Sequence, residues 1–235
     1  MLFRTPFKKK GHDAMFAKNL WEDPLYYFTW IGIVVLSVCL HELSHAVCAY
    51  WQGDDTAKSK GYFTLNPLVH MGRESLVLLA LLGIAWGLCP VNPSKFKHNW
   101  SDMAVSFAGP LMNLFLMLVF ILMQAVVHRS NYVPLLDLPL EMLSLLDWIL
   151  GLAAWANAYL FLLNMIPVPP LDGFNVWSYF FKPIQKLGTA LTQSGSSSFA
   201  FIIVLFLLSP EIGKMALGFY KMAFHHVIDW VTFVT

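Results

Sequence analysis

The sequence predicts an all-α polytopic membrane protein, with about four to six transmembrane helices and a short membrane-associated β-hairpin or re-entrant element. Three observations carry that expectation. Of the 235 residues, 57% are hydrophobic and only 12% are charged, against roughly 25% charged in a soluble domain. The mean hydropathy is +0.60. The apolar residues gather into separate runs, several of them near the length of about 20 residues that a bilayer crossing needs.

The elements follow in chain order. Residues 1–24 form a basic tail with Arg4, Lys8, Lys9, Lys10 and Lys18. No short apolar core with a small-residue cleavage site follows, so the tail is expected to lie at the membrane surface rather than be removed. Residues 25–235 are expected to form a single domain. Its first helix is 25–51, "LYYFTWIGIVVLSVCLHELSHAVCAYW". The region 52–100 holds a β-prone piece, Gly61-Tyr62-Phe63-Thr64-Leu65, which ends at the turn signal Asn66-Pro67. It also holds a short apolar run, 75–89, closed by Cys89-Pro90 with Pro93 behind. Helices are expected over 102–127 and 142–166. The stretch 187–198, "LGTALTQSGSSS", reads as a flexible linker. C-terminal helices over 199–233 follow, interrupted at Pro210.

Composition excludes several classes. A net charge of +1, with no basic run interleaved with aromatics, gives no surface for nucleic acid. Cys39, Cys48 and Cys89 are odd in number and irregularly spaced, so they read as packing residues rather than a disulfide framework. Trp21, Tyr26, Tyr27, Trp51, Trp100 and Trp230 fall at or near predicted helix ends, as an aromatic belt does.

The chemistry sits in Leu40-His41-Glu42-Leu43-Ser44-His45-Ala46. On a helix, residues i and i+4 share a face one turn apart. The imidazoles of His41 and His45 can therefore converge on one zinc ion. Glu42 is then placed to act as general base toward water at the metal. Ionisable groups inside a bilayer are costly, by about 2.5–3.5 kcal/mol for Asp, Lys or Arg on the lenient insertion scale, and usually mark function. A metal offsets that cost for all three at once, which weakens the bland reading of three buried polar residues satisfied by neighbouring helices.

A catalytic zinc takes three protein ligands and one open position. The candidates for the third are Asp54, Asp55, His70, Glu74, Asp147 and Asp172; His128, His225 and His226 look interfacial. Asp172 is favoured by its surroundings, Asn164-Met165-Ile166-Pro167-Val168-Pro169-Pro170-Leu171-Asp172-Gly173. The prolines stop the helix, and the chain presents a carboxylate from a rigid turn.

Together the two motifs resemble the site-2 protease family of intramembrane zinc metalloproteases, in a compact form without a PDZ domain. That family pairs His-Glu-x-x-His on one transmembrane helix with Asn-x-x-Pro-x-Pro-x-Leu-Asp-Gly at the end of another. The resemblance implies one zinc held by His41, His45 and Asp172, with Glu42 as catalytic base. It also implies that Asn164 holds the unwound substrate or its oxyanion. "GYFTLNPLVH", "PVNPSKF" and "FAGPLMN" fit the family's compact members, so coverage runs from about residue 25 to 180. Two departures, Met71-Gly72-Arg73 after His70 and Gly87-Leu88 before the Pro-Val-Asn-Pro run, fall in the loop that gates substrate and touch no implied ligand. The implied partners are a protein substrate with a transmembrane segment and the lipid bilayer itself. The implied location is a prokaryotic cell membrane, with the site opening toward the cytoplasm. Charge counting does not decide the sidedness, because both flanks carry similar numbers of Lys and Arg. Oligomeric state has no signal in the sequence.

A shared zinc also constrains topology. The first helix and 142–166 must end on one side, so an odd number of crossings separates them. The run 75–89 is then expected to enter and leave on the same side. Two other readings compete. A zinc or iron transporter would use buried His and Asp ligands but gives Glu42 no role. An inactive relative that only binds membrane segments would not need an intact Glu42.

Overall fold

A computed structural model describes residues 16–130, 136–194, 196, 203 and 207–234. The tail before Phe16 and most of the apolar run 199–209 lie outside them. Among the described residues, three helices are long and apolar enough to cross a membrane: α1 (Pro24–Trp51), α3 (Ser101–Ser130) and α4 (Leu140–Asn164). The short α2 (Gly72–Leu82) lies between the first two. After α4 come α5 (Asp172–Phe180), α6 (Lys182–Gln193) and α7 (Ser209–Val234).

Local chemistry sets the starts and stops. Asp23 caps α1 by accepting from the Tyr26 N–H at 3.1 Å, and Pro24 takes the first position, where its missing N–H costs nothing. Pro210 sits in the first turn of α7, where a missing N–H costs nothing, and most of the stretch before it, on the other side of the expected break, lies outside the described residues. α7 is 26 residues long, yet it carries Glu211, Lys214, Lys221 and Asp229 and is not among the helices apolar enough to cross. It packs on α3 and α4 through a core of Met117, Ile121, Ala154, Ala158 and Ala216. The alanines let the backbones approach closely, as small residues do between membrane helices.

Contacts give the helix directions. Tyr26 lies tilted against Trp148, with ring centroids 6.5 Å apart, and His41 lies 3.0 Å from Asp172 just beyond α4. α1 and α4 are thus parallel. His45 meets Val105 and His41 meets Asn113, so α3 runs against both.

The connection 52–100 reconciles this with chain order. Its two ends meet beside the C-terminus of α1: the Lys97 N–H donates to the Gln52 carbonyl at 3.0 Å, and the Asn92 N–H donates to Asp54 at 2.6 Å. Its far point is Gly83, which ends α2 in the left-handed conformation at φ +73°. That point lies near the opposite end of α1, where the Trp30 indole N–H donates to the Gly83 carbonyl at 3.1 Å. The Tyr27 hydroxyl donates to the Ala80 carbonyl at 3.0 Å. These aromatic donors satisfy carbonyls that a helix C-terminus leaves open. α2 has 11 residues and so rises about 16 Å, half of the roughly 30 Å hydrocarbon core. The chain returns along a non-helical limb, 83–92, pinned where Ser75 Oγ both accepts from the Trp86 N–H (2.9 Å) and donates to its carbonyl (2.7 Å). The connection leaves and rejoins the same end of α1.

Two expectations are corrected. The piece 61–65 is not a strand, and no strand occurs among the described residues. The Gly61 and Tyr62 N–H groups donate to the Lys58 and Ala57 carbonyls at 3.1 and 2.9 Å, and at the far end Thr64 Oγ1 and Asn66 Oδ1 accept from the Asn66 and Leu68 N–H groups, so the piece is held between local turns. The supposed linker 187–198 is helical through Gln193, as part of α6. Ile184, Leu187 and Leu191 repeat at helical spacing there, one face apolar and the other polar. The expected four to six crossings compare with three candidate spans among the described residues.

Candidate metal centre

His41 and His45 project from one face of α1 and are 7% and 6% exposed. Asp172 opens α5, immediately after the proline-rich turn that ends α4. The sequence separates Asp172 from the histidines by most of the chain, but the parallel ends of α1 and α4 bring it to them. His41 Nε2 lies 3.0 Å from Asp172 Oδ2 and 3.0 Å from His45 Nε2, and His45 Nε2 lies 3.4 Å from Asp172 Oδ2. These three residues are the one group of metal-ligand side chains found among the described residues.

The donor set fits a cation. The outer nitrogen of His45, Nδ1, lies 2.7 Å from the Val105 carbonyl, which can only accept. Nδ1 therefore carries the proton and Nε2 turns its lone pair inward. His41 Nδ1 lies 2.6 Å from Asn113 Oδ1, with the same consequence. With both rings neutral, two lone pairs and a carboxylate converge within hydrogen-bonding distance with no hydrogen between them. A divalent metal resolves that repulsion, and a histidine held through its other ring nitrogen is the usual form of a zinc ligand.

Glu42 is 8% exposed and stands outside the three-atom cluster. Its carboxylate lies against Gly87 on the returning limb, where a Cβ would overlap Glu42 Oε1. Gly109 performs the same service for the histidines, since a Cβ there would overlap both Nε2 atoms. Gly109→Ala is accordingly expected to abolish metal binding while the helices still form. Metal content of the purified protein, beside its far-ultraviolet circular dichroism, checks this; normal zinc content would refute it.

The other candidate ligands are occupied elsewhere. Asp54 accepts from the Thr56 and Asn92 N–H groups, and Asp55 pairs with Lys95 at 2.6 Å. The His70 ring is held on the Thr64 carbonyl at 2.7 Å. Glu74 is exposed. Asp147 stands by His128 at 3.4 Å, toward the opposite ends of α3 and α4. Burial, with Glu42, Asp54 and Asp172 adding to it, pushes the Cys89 thiol up to about 12. Asn164 is the last residue of α4 and half-buried, and no hydrogen bond joins it to His41, Glu42, His45 or Asp172.

Sequence reading did not single out Asn113, Gly109 or Gly87 as parts of the site. Gly109 and Asn113 lie inside "FAGPLMN". A glycine and an uncharged amide on a lipid-spanning helix were the available signal, but nothing in the order of residues says which face of α3 meets α1.

Comparison with known proteins agrees with the geometry. Residues 28–209 match the family model described as Peptidase family M50. A protein of Bacillus subtilis, "Putative zinc metalloprotease YwhC", is 33% identical over 201 residues, which cover 83% of this chain and 86% of that protein. Rip2 of Mycolicibacterium smegmatis, of the same description, is 26% identical over 209 residues, covering 82% of this chain and 74% of Rip2. Rip2 of Mycobacterium tuberculosis is 27% identical over 207 residues, with 83% and 74% coverage. No solved structure matches the chain.

Proposed function

Since the chain belongs to peptidase family M50, the site-2 protease family, and is a membrane zinc metalloprotease, we propose that it hydrolyses a peptide bond in or beside a transmembrane segment of a protein substrate. The observation that carries this reading is the meeting of His41, His45 and Asp172 within 3.4 Å, built on membrane-crossing helices, with Glu42 beside them. His41, His45 and Asp172 would hold the zinc. When bound, zinc acts as a Lewis acid that acidifies water and polarises a carbonyl.

The chain's own residues supply the rest. Glu42 takes a proton from the attacking water and delivers it to the departing amide nitrogen, the two halves of general acid–base work. A transmembrane substrate spends its carbonyls on its own helical hydrogen bonds, so it must unwind locally first. Asn164, at the mouth of the proline turn, holds one of the freed backbone groups or the developing oxyanion. The backbone that lies against Glu42 is the limb 83–92, at Gly87. We assign that limb the part of lying beside the unwound segment. We propose a prokaryotic cell membrane, in keeping with the bacterial relatives, and a site opening toward the cytoplasm, as the resemblance to the site-2 protease family implies. A metal transporter would need ligands along a path, whereas the ligand group among the described residues sits at one end of the helices.

The test is cleavage of a single-span substrate co-reconstituted in liposomes. A strong chelator should stop cleavage and added zinc should restore it. Helix-breaking residues near the cut should speed it. Cleavage that survives full removal of metal, or is confined to soluble unfolded peptides, would refute the proposal.

A further inference from the structure

We infer that Asn157 is a positioning residue which, acting through Asn113, fixes the tautomer and ring orientation of His41. The inference rests on the reading of His41 as a metal ligand. Asn157 and Asn113 are 0% exposed and Ser37 is 1% exposed, so no solvent competes with the bonds among them. They lie on α4, α3 and α1, and with His41 they join all three candidate spans.

The chain of bonds has a direction, set by one group whose polarity is fixed. The Ala153 carbonyl can only accept, and Asn157 Nδ2 donates to it at 2.9 Å. The second hydrogen of the same Nδ2 goes to Ser37 Oγ at 3.0 Å. Asn157 Oδ1 is thereby turned toward α3, where it accepts from Asn113 Nδ2 at 3.0 Å. Asn113 Oδ1 must then face His41, and it lies 2.6 Å from Nδ1. An oxygen accepts, so Nδ1 holds the proton and Nε2 keeps its lone pair for the metal. Turning either amide over would set buried acceptor against acceptor. The polarity of a main-chain carbonyl in α4 is thus handed through two amides to the inner nitrogen of a histidine in α1. His45 needs no such relay, because it meets a main-chain carbonyl directly.

Buried asparagines also join membrane helices simply by hydrogen bonding across them, and a cycle of variants separates the two roles. Zinc affinity is measured by competition with a chelating indicator, and cobalt(II) replaces zinc to give a visible spectrum that reports ligand geometry. Loss of an outer-shell partner costs about 10–100-fold in metal affinity. Asn157→Leu should weaken zinc binding by about tenfold, because the Asn113 amide becomes free to turn over, and should change the cobalt spectrum. Asn113→Asp presents an acceptor whichever way it turns. Its other oxygen then meets Asn157 Oδ1, also an acceptor, so in that background Asn157→Leu should not weaken zinc binding and should leave the cobalt spectrum as it was. An equal loss in both backgrounds, or no loss in either, overturns the relay. Zinc-loaded wild-type protein gives a readout free of substitutions: the His41 Nδ1 proton should exchange slowly with solvent in nuclear magnetic resonance, and fast exchange overturns the relay. His41→Ala serves as the control. If it leaves zinc affinity unchanged, the ligand reading of His41 fails and the relay falls with it, a result that cannot be confused with failure of the relay alone.

Discussion

Glu42→Gln protein is expected to keep its zinc and to lose cleavage by about 10²–10⁴-fold, the usual contribution of a general base. The substitution keeps the shape of the side chain and removes only its capacity to take a proton. Shape matters here, because the side chain is enclosed at 8% exposure and lies against Gly87, with no space for a Cβ between them. Metal binding should survive, because Glu42 is not among the three atoms that converge. The check is zinc content by atomic absorption, with cleavage of a reconstituted substrate followed on gels. Wild-type cleavage by the variant would remove Glu42 from the mechanism. Loss of zinc together with activity would instead make Glu42 a ligand.

Asp172→Ala is expected to fail one step earlier, at metal binding. Asp172 Oδ2 lies 3.0 Å and 3.4 Å from the two imidazole nitrogens and is the only anionic member of the set. Two neutral imidazoles on one helix turn fall short of the three protein ligands that catalytic zinc sites use. The loss in zinc affinity should exceed the about 10–100-fold of an outer-shell change. It should appear as protein that purifies without zinc and shows no thermal stabilisation when zinc is added, since a ligand stabilises only the folded state that binds it. Full zinc occupancy in this variant would mean that the third ligand lies elsewhere, and Asp54 and His70, both already held by backbone groups, would need to move to supply it.

Most of this site could be read from the chain because its signals are local. His41 and His45 need only the helical turn between them, and the residues around them are apolar enough to make that helix secure. The prolines at 167, 169 and 170 forecast the turn that frees Asp172, and the shared metal forecast that 75–89 could not cross. What stayed hidden depends on neighbours. Gly109 and Asn113 matter because of the face α3 turns to α1, which is decided by packing along both helices. The piece Gly61–Leu65 has strand-forming residues, but a strand requires a partner, and Thr64 and Asn66 had already committed the local backbone to a turn. The helix over Lys182–Gln193 was masked by the Ser-rich stretch after it, which drew the boundary of an apparent linker too early.

The meeting of Gln52 and Lys97 at 3.0 Å has a consequence for how such an enzyme can diversify. A segment whose two ends coincide is, in topological terms, an insertion. It can be lengthened, shortened or exchanged at small entropic cost, because loop closure depends only weakly on length. The residues proposed to hold the metal lie outside it, on α1 and α5, braced by α3 and α4. If the limb beside Glu42 selects substrate, as proposed, then substrate preference and bond-breaking chemistry are carried by separable modules, and at the site itself the inserted segment lies against Glu42 at Gly87. Selection, or an engineer, can rewrite the first module while leaving the second in place.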